Sequence, residues 1–306
     1  MANPLLTSAL DLAKHTASGI WQKNIKSGII SQLTPDDPQI MVGSTDFFTF
    51  TGTPKAELVG EGANKSSADG TPSKKTSKTY KVQLTYRFSD EVRYADEEYR
   101  LGLMEALAGN IAKGVSRAVD LVAIHGINPS TGEVAESVAD YITKNGNGHV
   151  INSTSATPEV DLDAAAAALQ GSGYAATGIA LDPVYAGVLA RTKKTNGDRV
   201  FPELGLGFNV ERIAGIDAAV SNTVSGSAEF PGAISTGVGG IMADWNAIKW
   251  GIARNVPLHL IEYGDPDGAG DLQRTNEIAI RAEVVFGFAI LDDKAFSIIK
   301  QAQVSA

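Results

Sequence analysis

Apolar residues repeat at helical spacing through the middle of the chain. Steps of three and four residues join Leu101, Met104, Ala108, Ile111, Val115, Val119 and Val122. This spacing places one apolar stripe along a helix, so we predict a single long helix over residues 94–124. Such a helix would span roughly 45 Å at 1.5 Å per residue. Ser89 and the acidic residues after it favour a helix start, and Gly126 and Pro129 favour its end.

Alternating residues predict two strands on either side of a long polar segment. Residues 44–53 contain phenylalanines among threonines, and residues 79–88 place every second apolar side chain on one face. Between them, residues 53–81 contain almost nothing large and apolar after Val59. Because an isolated two-stranded ribbon is marginal in water, we expect this polar arm to lie against another molecule.

The second half of the chain alternates between helices and strands. Helices are predicted after Asp161 and Pro183, and a charged loop around an Asn-Gly turn is predicted from Lys193 to Arg199. Shorter strands are predicted at 178–181, 210–214, 218–220 and 240–244, and longer ones at 248–261 and 277–288.

Residues 1–43 have a looser helical pattern that ends at Pro35 and Pro38. The pattern fits either a helix docked on its own domain or an arm that contacts a partner subunit.

Composition narrows the class of protein. The 306 residues are 43% hydrophobic and 20% charged, which is typical of a folded chain with a sizeable core. A net charge of −9 argues against a protein that coats nucleic acid. The chain has no cysteine, so neither disulfides nor thiolate metal sites hold it together. Residues 55–81 depart from the average, because six lysines oppose three carboxylates there.

Catalytic and cofactor motifs are absent from the sequence. The four histidines form no HExxH pattern, and no GxxxxGK[ST], GxGxxG after a strand, or GxSxG segment occurs. Carboxylate pairs such as Asp292-Asp293 lie beside turns or helix starts, where capping explains them. We therefore expect no enzyme, cofactor or metal, and no membrane association, since no window approaches the ~20 apolar residues of a membrane span.

The order of several segments resembles the major capsid proteins of tailed bacteriophages, with the Hong Kong phage-type capsid fold. The resemblance covers about residues 40–300. The segments are 56–65 (AELVGEGANK), 68–71 (ADGT), 89–91 (SDE), 126–132 (GINPSTG), 179–183 (IALDP), 215–220 (GIDAAV), 242–245 (MADW) and 281–296 (RAEVVFGFAILDDKAF), the last similar to the family's closing strand and final helix.

This resemblance implies an α+β fold with four parts. They are an N-terminal arm (1–43), an extension loop with its flanking strands (44–87), a peripheral domain with a long spine helix (88–155 and 246–306) and an axial domain (156–245). The implied function is a structural head protein that assembles into pentamers and hexamers of an icosahedral shell around double-stranded DNA.

Three sets of residues become candidates for contacts between subunits. The extension loop contributes Glu57, Glu61, Lys65, Asp69, Lys74, Lys75 and Lys78. The acidic face at the start of the spine helix contributes Asp90, Glu91, Asp96, Glu97 and Glu98. The axial loop contributes Lys193, Lys194, Asn196, Asp198 and Arg199. A basic arm and an acidic surface on one molecule suit head-to-tail contact between copies.

The resemblance also implies partners and departures from the family pattern. The expected partners are other copies of the chain, a portal and in some cases a decoration protein, with DNA enclosed without sequence-specific binding. The long N-terminal scaffolding segment of many members is missing here, so we expect a separate scaffold protein or a processed chain. Lys74 lies near the place where some members form a Lys–Asn cross-link, but no matching asparagine is evident, so we expect no cross-link.

Other functions remain open at this point. The same fold is used by cellular nanocompartment shells, which enclose an enzyme rather than DNA. A hydrolase with an unrecognised carboxylate or histidine site is a second alternative, and an adhesive tail protein is a third. A phage head protein would be assembled in the bacterial host cytoplasm and would end in the virion capsid.

Overall fold

The structure is a computed structural model that describes most of the chain. The described residues are 28–34, 40, 42–50, 56–62, 64–65, 72–91, 97–144, 146, 148–153, 158–205, 210–226 and 236–301, without the side chains of 97–105 and 255–258. The helices are α1 (Ile29–Leu33), α2 (Glu97–His125), α3 (Pro158–Gly171), α4 (Pro183–Arg191) and α5 (Leu272–Thr275), with 3₁₀ turns at Trp245–Ala247 and Asp293–Ala295.

Ten strands accompany the helices in these residues. They are β1 (Ser44–Thr49), β2 (Ser73–Ser89), β3 (His149–Ser153), β4 (Gly178–Leu181), β5 (Arg212–Ile213), β6 (Ile216–Val220), β7 (Val238–Ala243), β8 (Ile248–Ile261), β9 (Glu277–Ile290) and β10 (Phe296–Gln301).

A four-stranded antiparallel sheet has the order β1-β2-β9-β8. Strand β2 pairs with β9 from Lys78 to Ser89, and it pairs with β1 on its other side from Ser73 to Lys78. The first residues of β2 therefore extend past β9 with β1 as their one strand partner among the described residues. We call this two-stranded extension and its connection, residues 44–78, the ribbon.

A six-stranded mixed sheet has the order β3-β10-β7-β4-β6-β5. Strand β10 pairs parallel with β3 and antiparallel with β7, and β4 pairs parallel with β6. Helices α3 and α4 pack on this sheet around a second apolar cluster that includes Leu169, Leu189 and Ile299. The alternate residues of the same strands, such as Ala180, Ile241 and Ile298, lie in the first apolar cluster, so both faces of the sheet are covered.

The long helix α2 anchors the first apolar cluster. Its 29 residues confirm the predicted helix, and from Ala108 onward its apolar side chains are buried against the four-stranded sheet. Gly126 adopts a left-handed conformation (φ +67°) and its N–H bonds the carbonyl of Val122, so the chain turns away where the glycine predicts it. The alternate side chains of β2, from Tyr80 to Phe88, pack on the same cluster as predicted.

Three expectations need correction. The strand expected at 79–88 begins earlier, at Ser73, because Lys74 and Lys75 pair with Phe48 and Phe47 of β1, which the lysine-rich composition did not indicate. The final helix implied by the resemblance is absent from the described residues, since a 3₁₀ turn leads into strand β10 instead. Ser89, expected at the start of the long helix, accepts a bond from Glu91 N (3.3 Å) in a 3₁₀ turn. The described part of the long helix begins at Glu97, and residues 92–96 lie outside the described residues.

The described part of the N-terminal arm docks on its own chain. Ile29 and Ile30 of α1 lie in the main apolar cluster, and Trp250 Nε1 donates to the carbonyl of Thr34 (3.1 Å). Residues 1–27 lie outside the described residues. The division into arm, loop, peripheral and axial parts stays a prediction.

A glycine in β9 permits the close approach of Ile40 to the sheet. A Cβ at Gly287 would lie 2.8 Å from Ile40 Cγ2 and 3.2 Å from the carbonyl oxygen of Lys78. We expect Gly287→Ala to lower the free energy of unfolding by about 1–3 kcal/mol through overpacking. Gly109→Ala is the matched control, because nothing lies within 4 Å of its added Cβ and the site is helical. In urea unfolding, the control should raise the free energy of unfolding by about 0.5–1 kcal/mol. Equal effects of the two substitutions would contradict the close packing of Ile40 on Gly287.

Candidate assembly surface

The ribbon exposes large apolar side chains that the described part of its own chain leaves uncovered. Phe48 is 67% exposed, Phe50 is 70% exposed and Leu58 is fully exposed. Exposed hydrophobic residues are common singly, but a group of them on a polar extension is typical of a contact surface. The ribbon is therefore the first candidate for contact with another molecule.

The two strands of the ribbon are joined by polar contacts. Lys74 Nζ lies 2.7 Å from Asp46 Oδ2, and the hydroxyl of Thr76 donates to Asp46 Oδ1 (2.7 Å). These two partners hold the pKa of Asp46 below its ordinary value. Because the pair is exposed, it contributes little stability, and the register of β1 on β2 is defined by the strand pairing from Ser44–Lys78 to Thr49–Ser73.

The predicted extension-loop residues lie at several places on the ribbon. Lys74, Lys75 and Lys78 are in strand β2, and Lys78 and Lys74 are exposed. Glu57, Glu61 and Lys65 are exposed in the connection between the strands, outside helix and strand. Asp69 lies outside the described residues. Their contacts with a neighbouring subunit stay a prediction.

The predicted acidic face is only partly described. Asp90 and Glu91 form the 3₁₀ turn after β2, where Asp90 N bonds the carbonyl of Asn276 (2.9 Å). Glu97 and Glu98 open helix α2, and neither their side chains nor Asp96 is described. The structure does not show these carboxylates as one surface.

The predicted axial loop is a tight exposed turn. A bridge pairs Lys193 with Arg199, and Lys194 N donates to the carbonyl of Asp198 (2.7 Å). Asn196 Nδ2 donates to Asp198 Oδ2 (2.6 Å), and Gly197 adopts φ +89°. The turn around Asn-Gly is confirmed. Lys193, Lys194 and Asp198 are exposed in the α4–β5 connection, whereas Arg199 is half-buried and donates to the carbonyl of Leu204 (3.5 Å). Their role in contacts between subunits stays a prediction.

Sequence reasoning missed a buried polar joint at the C-terminal half of helix α2. We define the joint as residues 221–226 together with Arg117, Asp120 and His125 of α2. Asp120 is buried and accepts from Ile29 N (3.0 Å), Ile30 N (3.1 Å) and the hydroxyl of Thr223 (3.2 Å). Desolvation raises the pKa of Asp120 to about 6. One carboxylate thus ties α1, α2 and the 221–226 segment together.

His125 holds the other end of the joint. Its Nε2 lies 2.8 Å from the carbonyl of Val224, and its Nδ1 lies 2.9 Å from Thr143 Oγ1. Burial lowers the pKa of His125 to about 4, so the ring is neutral near pH 7. The histidine therefore acts as a neutral buried hydrogen-bonding group.

One further contact lies within the joint, and another extends it to the residue that follows β4 of the six-stranded sheet. Arg117 donates to Asn222 Oδ1 (2.7 Å), and Ser225 Oγ donates to Asp182 Oδ2 (2.6 Å). Asp182 also caps α4 through Val184 N (2.8 Å). The sequence signal that could have indicated this joint is Asp120, a charged residue among apolar neighbours in the second half of α2.

Other kinds of site find no support in the part of the chain that the structure describes. Within it, no three His, Asp or Glu side chains are grouped to hold a metal ion. None of its helices is both long and apolar enough to cross a membrane.

Comparisons with known proteins define the class. A sequence model of the phage capsid family matches residues 12–301. A solved structure from Mycobacterium phage Ogopogo is 39% identical, with a TM-score of 0.80 over 90% of this chain and 92% of that chain. One from Gordonia phage Cozz is 30% identical, with a TM-score of 0.76 over 90% and 87%.

A more distant structure shows the fold alone. It is described as the capsid of an empty GTA particle and is 15% identical, with a TM-score of 0.59 over 90% of each chain. The comparison with curated protein sequences gave no match.

Fold and comparisons together define a structural shell protein, not an enzyme, with the Hong Kong phage-type fold. The chain belongs to the phage capsid family. It is a major capsid protein, which assembles with copies of itself, and the cellular nanocompartment and hydrolase alternatives are not favoured.

The two titrating groups of the joint should affect stability in opposite directions. Because the pKa of Asp120 is raised to about 6, the folded state binds a proton that the unfolded state has released, and stability falls as pH rises from about 4 to 6. Because the pKa of His125 is lowered to about 4, the unfolded state binds the extra proton, and stability rises from about pH 4 to 6.5.

We therefore expect Asp120→Asn to make the unfolding free energy rise more steeply with pH than in the wild type, by up to about 1.4 kcal/mol per pH unit. His125→Gln should change the slope in the opposite direction. Urea unfolding of unassembled subunits between pH 4 and 6.5 measures both slopes. Curves parallel to the wild type would contradict the burial of these two groups.

Proposed function

We propose that the chain forms the pentamers and hexamers of an icosahedral shell that encloses double-stranded DNA. The membership of the family supports this, and so does the ribbon, a two-stranded extension with exposed aromatic residues. The single observation that carries the proposal is the family match over residues 12–301, together with 39% identity to the Ogopogo structure.

The ribbon is proposed to lie on a neighbouring subunit. Its exposed Phe48, Phe50 and Leu58 would bury apolar surface there, at about 25 cal/mol for each Å² removed from water. Lys65, Lys74, Lys75 and Lys78, with Glu57, Glu61 and Asp69, would make the polar contacts at its rim. The carboxylates Asp90, Glu91, Asp96, Glu97 and Glu98 would face basic residues of another copy.

The loop from Lys193 to Arg199 is proposed to meet its copies at the centres of pentamers and hexamers. Its residues Lys193, Lys194, Asn196, Asp198 and Arg199 bring both signs of charge into a tight turn. Paired charges of opposite sign suit a repeated contact around a symmetry axis. In this proposal, residues 156–245 form the axial domain and residues 88–155 and 246–306 the peripheral one.

The remaining partners are proposed from the family. They are a separate scaffold protein, a portal and a decoration protein, with assembly in the host cytoplasm before the chain becomes part of the virion. The net charge of −9 suits a wall that confines DNA without binding its sequence, since phosphate contacts require a basic surface.

A shortened ribbon tests this function. Thr49 pairs with Ser73, so replacing residues 50–72 by Asn-Gly closes β1 and β2 with a two-residue hairpin turn. We expect a folded subunit, because both apolar clusters lie outside the replaced segment. We expect it to form no stable shells, because Phe50 and Leu58 are lost.

Circular dichroism checks the fold of this variant, and sedimentation with negative-stain electron microscopy checks assembly. The matched control keeps the full ribbon and replaces only the exposed Val160 of α3, outside the ribbon, by serine. Normal shells from the shortened chain would contradict the proposed role of the ribbon.

A further inference from the structure

A groove lies between strand β2 and helix α2. Its volume is about 610 Å³, and one wall is formed by residues 79–84 of β2. The floor includes Val115, Ala118 and Val122 of α2, and the opposite wall is formed by residues 128–130, 135, 137 and 138. The floor is apolar, because Val115, Ala118 and Val122 are among the buried residues. The walls combine apolar residues such as Val82 with polar ones such as Gln83.

The β2 wall of the groove is a strand edge. Successive side chains of a strand point to opposite faces, so six consecutive residues can line one groove only along the edge of the strand. Strand β1 covers this edge as far as Lys78, and Thr79 N still bonds the carbonyl of Gly43 (3.3 Å). From Tyr80 to Leu84, no described segment pairs with it, because β9 occupies the other side.

An open strand edge beside an apolar groove suits an added strand. Backbone hydrogen bonds along the edge provide affinity, and the groove receives alternate side chains. An unpaired strand edge also promotes aggregation of the free chain. Pairing of this edge with a second copy during assembly would remove that risk.

The same chain carries a suitable occupant. Residues 56–60 form neither helix nor strand with the ribbon, and Leu58 at their centre is fully exposed. Strand β2 contributes its first residues to the ribbon and its later residues, 79–84, to the groove. The paired strands of the ribbon extend past β9, away from the groove of the same copy. The segment therefore reaches such a groove on a second copy rather than its own.

Charge on the rim favours the same occupant. Residues 128–140 contain Glu133, Glu136 and Asp140. The two lysines beside them are already engaged, because Lys81 of the β2 wall pairs with Glu283 (2.7 Å) and Lys144 donates to the carbonyl of Ala139 (2.6 Å). The ribbon strand beside the segment carries Lys74, Lys75 and Lys78. An acidic rim and a basic ribbon attract each other when two copies meet head to tail.

We infer that residues 56–60 of one copy add as a strand to the Tyr80–Leu84 edge of the next copy, with Leu58 in the groove. This inference rests on the proposed shell function and specifies one of its contacts. Each copy both donates a segment and accepts one, so the contact is heterologous, and it forms a ring where the rotation between copies closes.

The absence of cysteine makes a direct test possible. Copies with Leu58→Cys are mixed before assembly with copies carrying Ser137→Cys or Ser130→Cys, two exposed residues of the groove wall. After oxidation of the assembled particles, non-reducing gels should show a disulfide-linked dimer. The matched control is Val160→Cys on α3, which is exposed but outside the groove, and it should give several-fold less dimer.

A backbone variant separates strand addition from side-chain contact. Val59→Pro in the Leu58→Cys copy removes one backbone N–H from a segment that is neither helix nor strand. We expect it to reduce the dimer strongly, while Val59→Ala leaves the yield close to that of the parent. Equal yields from the two variants would overturn strand addition.

The outcomes distinguish this inference from the function on which it rests. Shells that form without a groove-specific dimer would overturn the docking and leave the shell function in place. Failure of the cysteine-free chain to form shells with or without a scaffold would overturn the function, and the docking with it. A groove-specific dimer that is sensitive to Val59→Pro supports both.

Discussion

The structure depends on one strand that belongs to two different environments. Residues 78–89 of β2 pair with β9 and pack on helix α2, whereas residues 73–78 pair with β1 and form the exposed ribbon. An isolated two-stranded ribbon is marginal in water, so this one derives its position from the core half of the same strand. The direction in which the ribbon leaves the subunit is therefore set by the β2–β9 register.

The buried joint gives the two sheets a common anchor. Asp120 and His125 lie on the helix that supports the four-stranded sheet, and both bond the 221–226 segment, which leads on to β7 of the six-stranded sheet. Burial of a carboxylate is costly unless hydrogen bonds satisfy it, and three donors do so for Asp120. A specific polar joint of this kind fixes one relative position of the packed elements, which a shell built from many copies requires.

Much of the fold could be predicted from local patterns, because the helical spacing and the strand-like alternation of apolar residues are visible in the sequence. Helix α2, the capped helix α4 and the Asn-Gly turn before Arg199 are examples. Strand β10 was missed, because a short apolar run is ambiguous and its pairing with β3 and β7 is long-range. Asp120 was missed because its partners lie about ninety residues or more away in the chain, where spacing carries no information. The roles of the ribbon and axial-loop charges depend on surfaces of other copies, which one chain cannot display.

The most direct measurement is electron cryomicroscopy of particles assembled from this chain, with a scaffold protein co-expressed where the chain alone does not close. The account predicts closed icosahedral shells in which each copy's ribbon, residues 44–78, lies on the adjacent copy. A uniform small oligomer under both conditions, or shells in which the ribbon contacts only its own subunit, would contradict it.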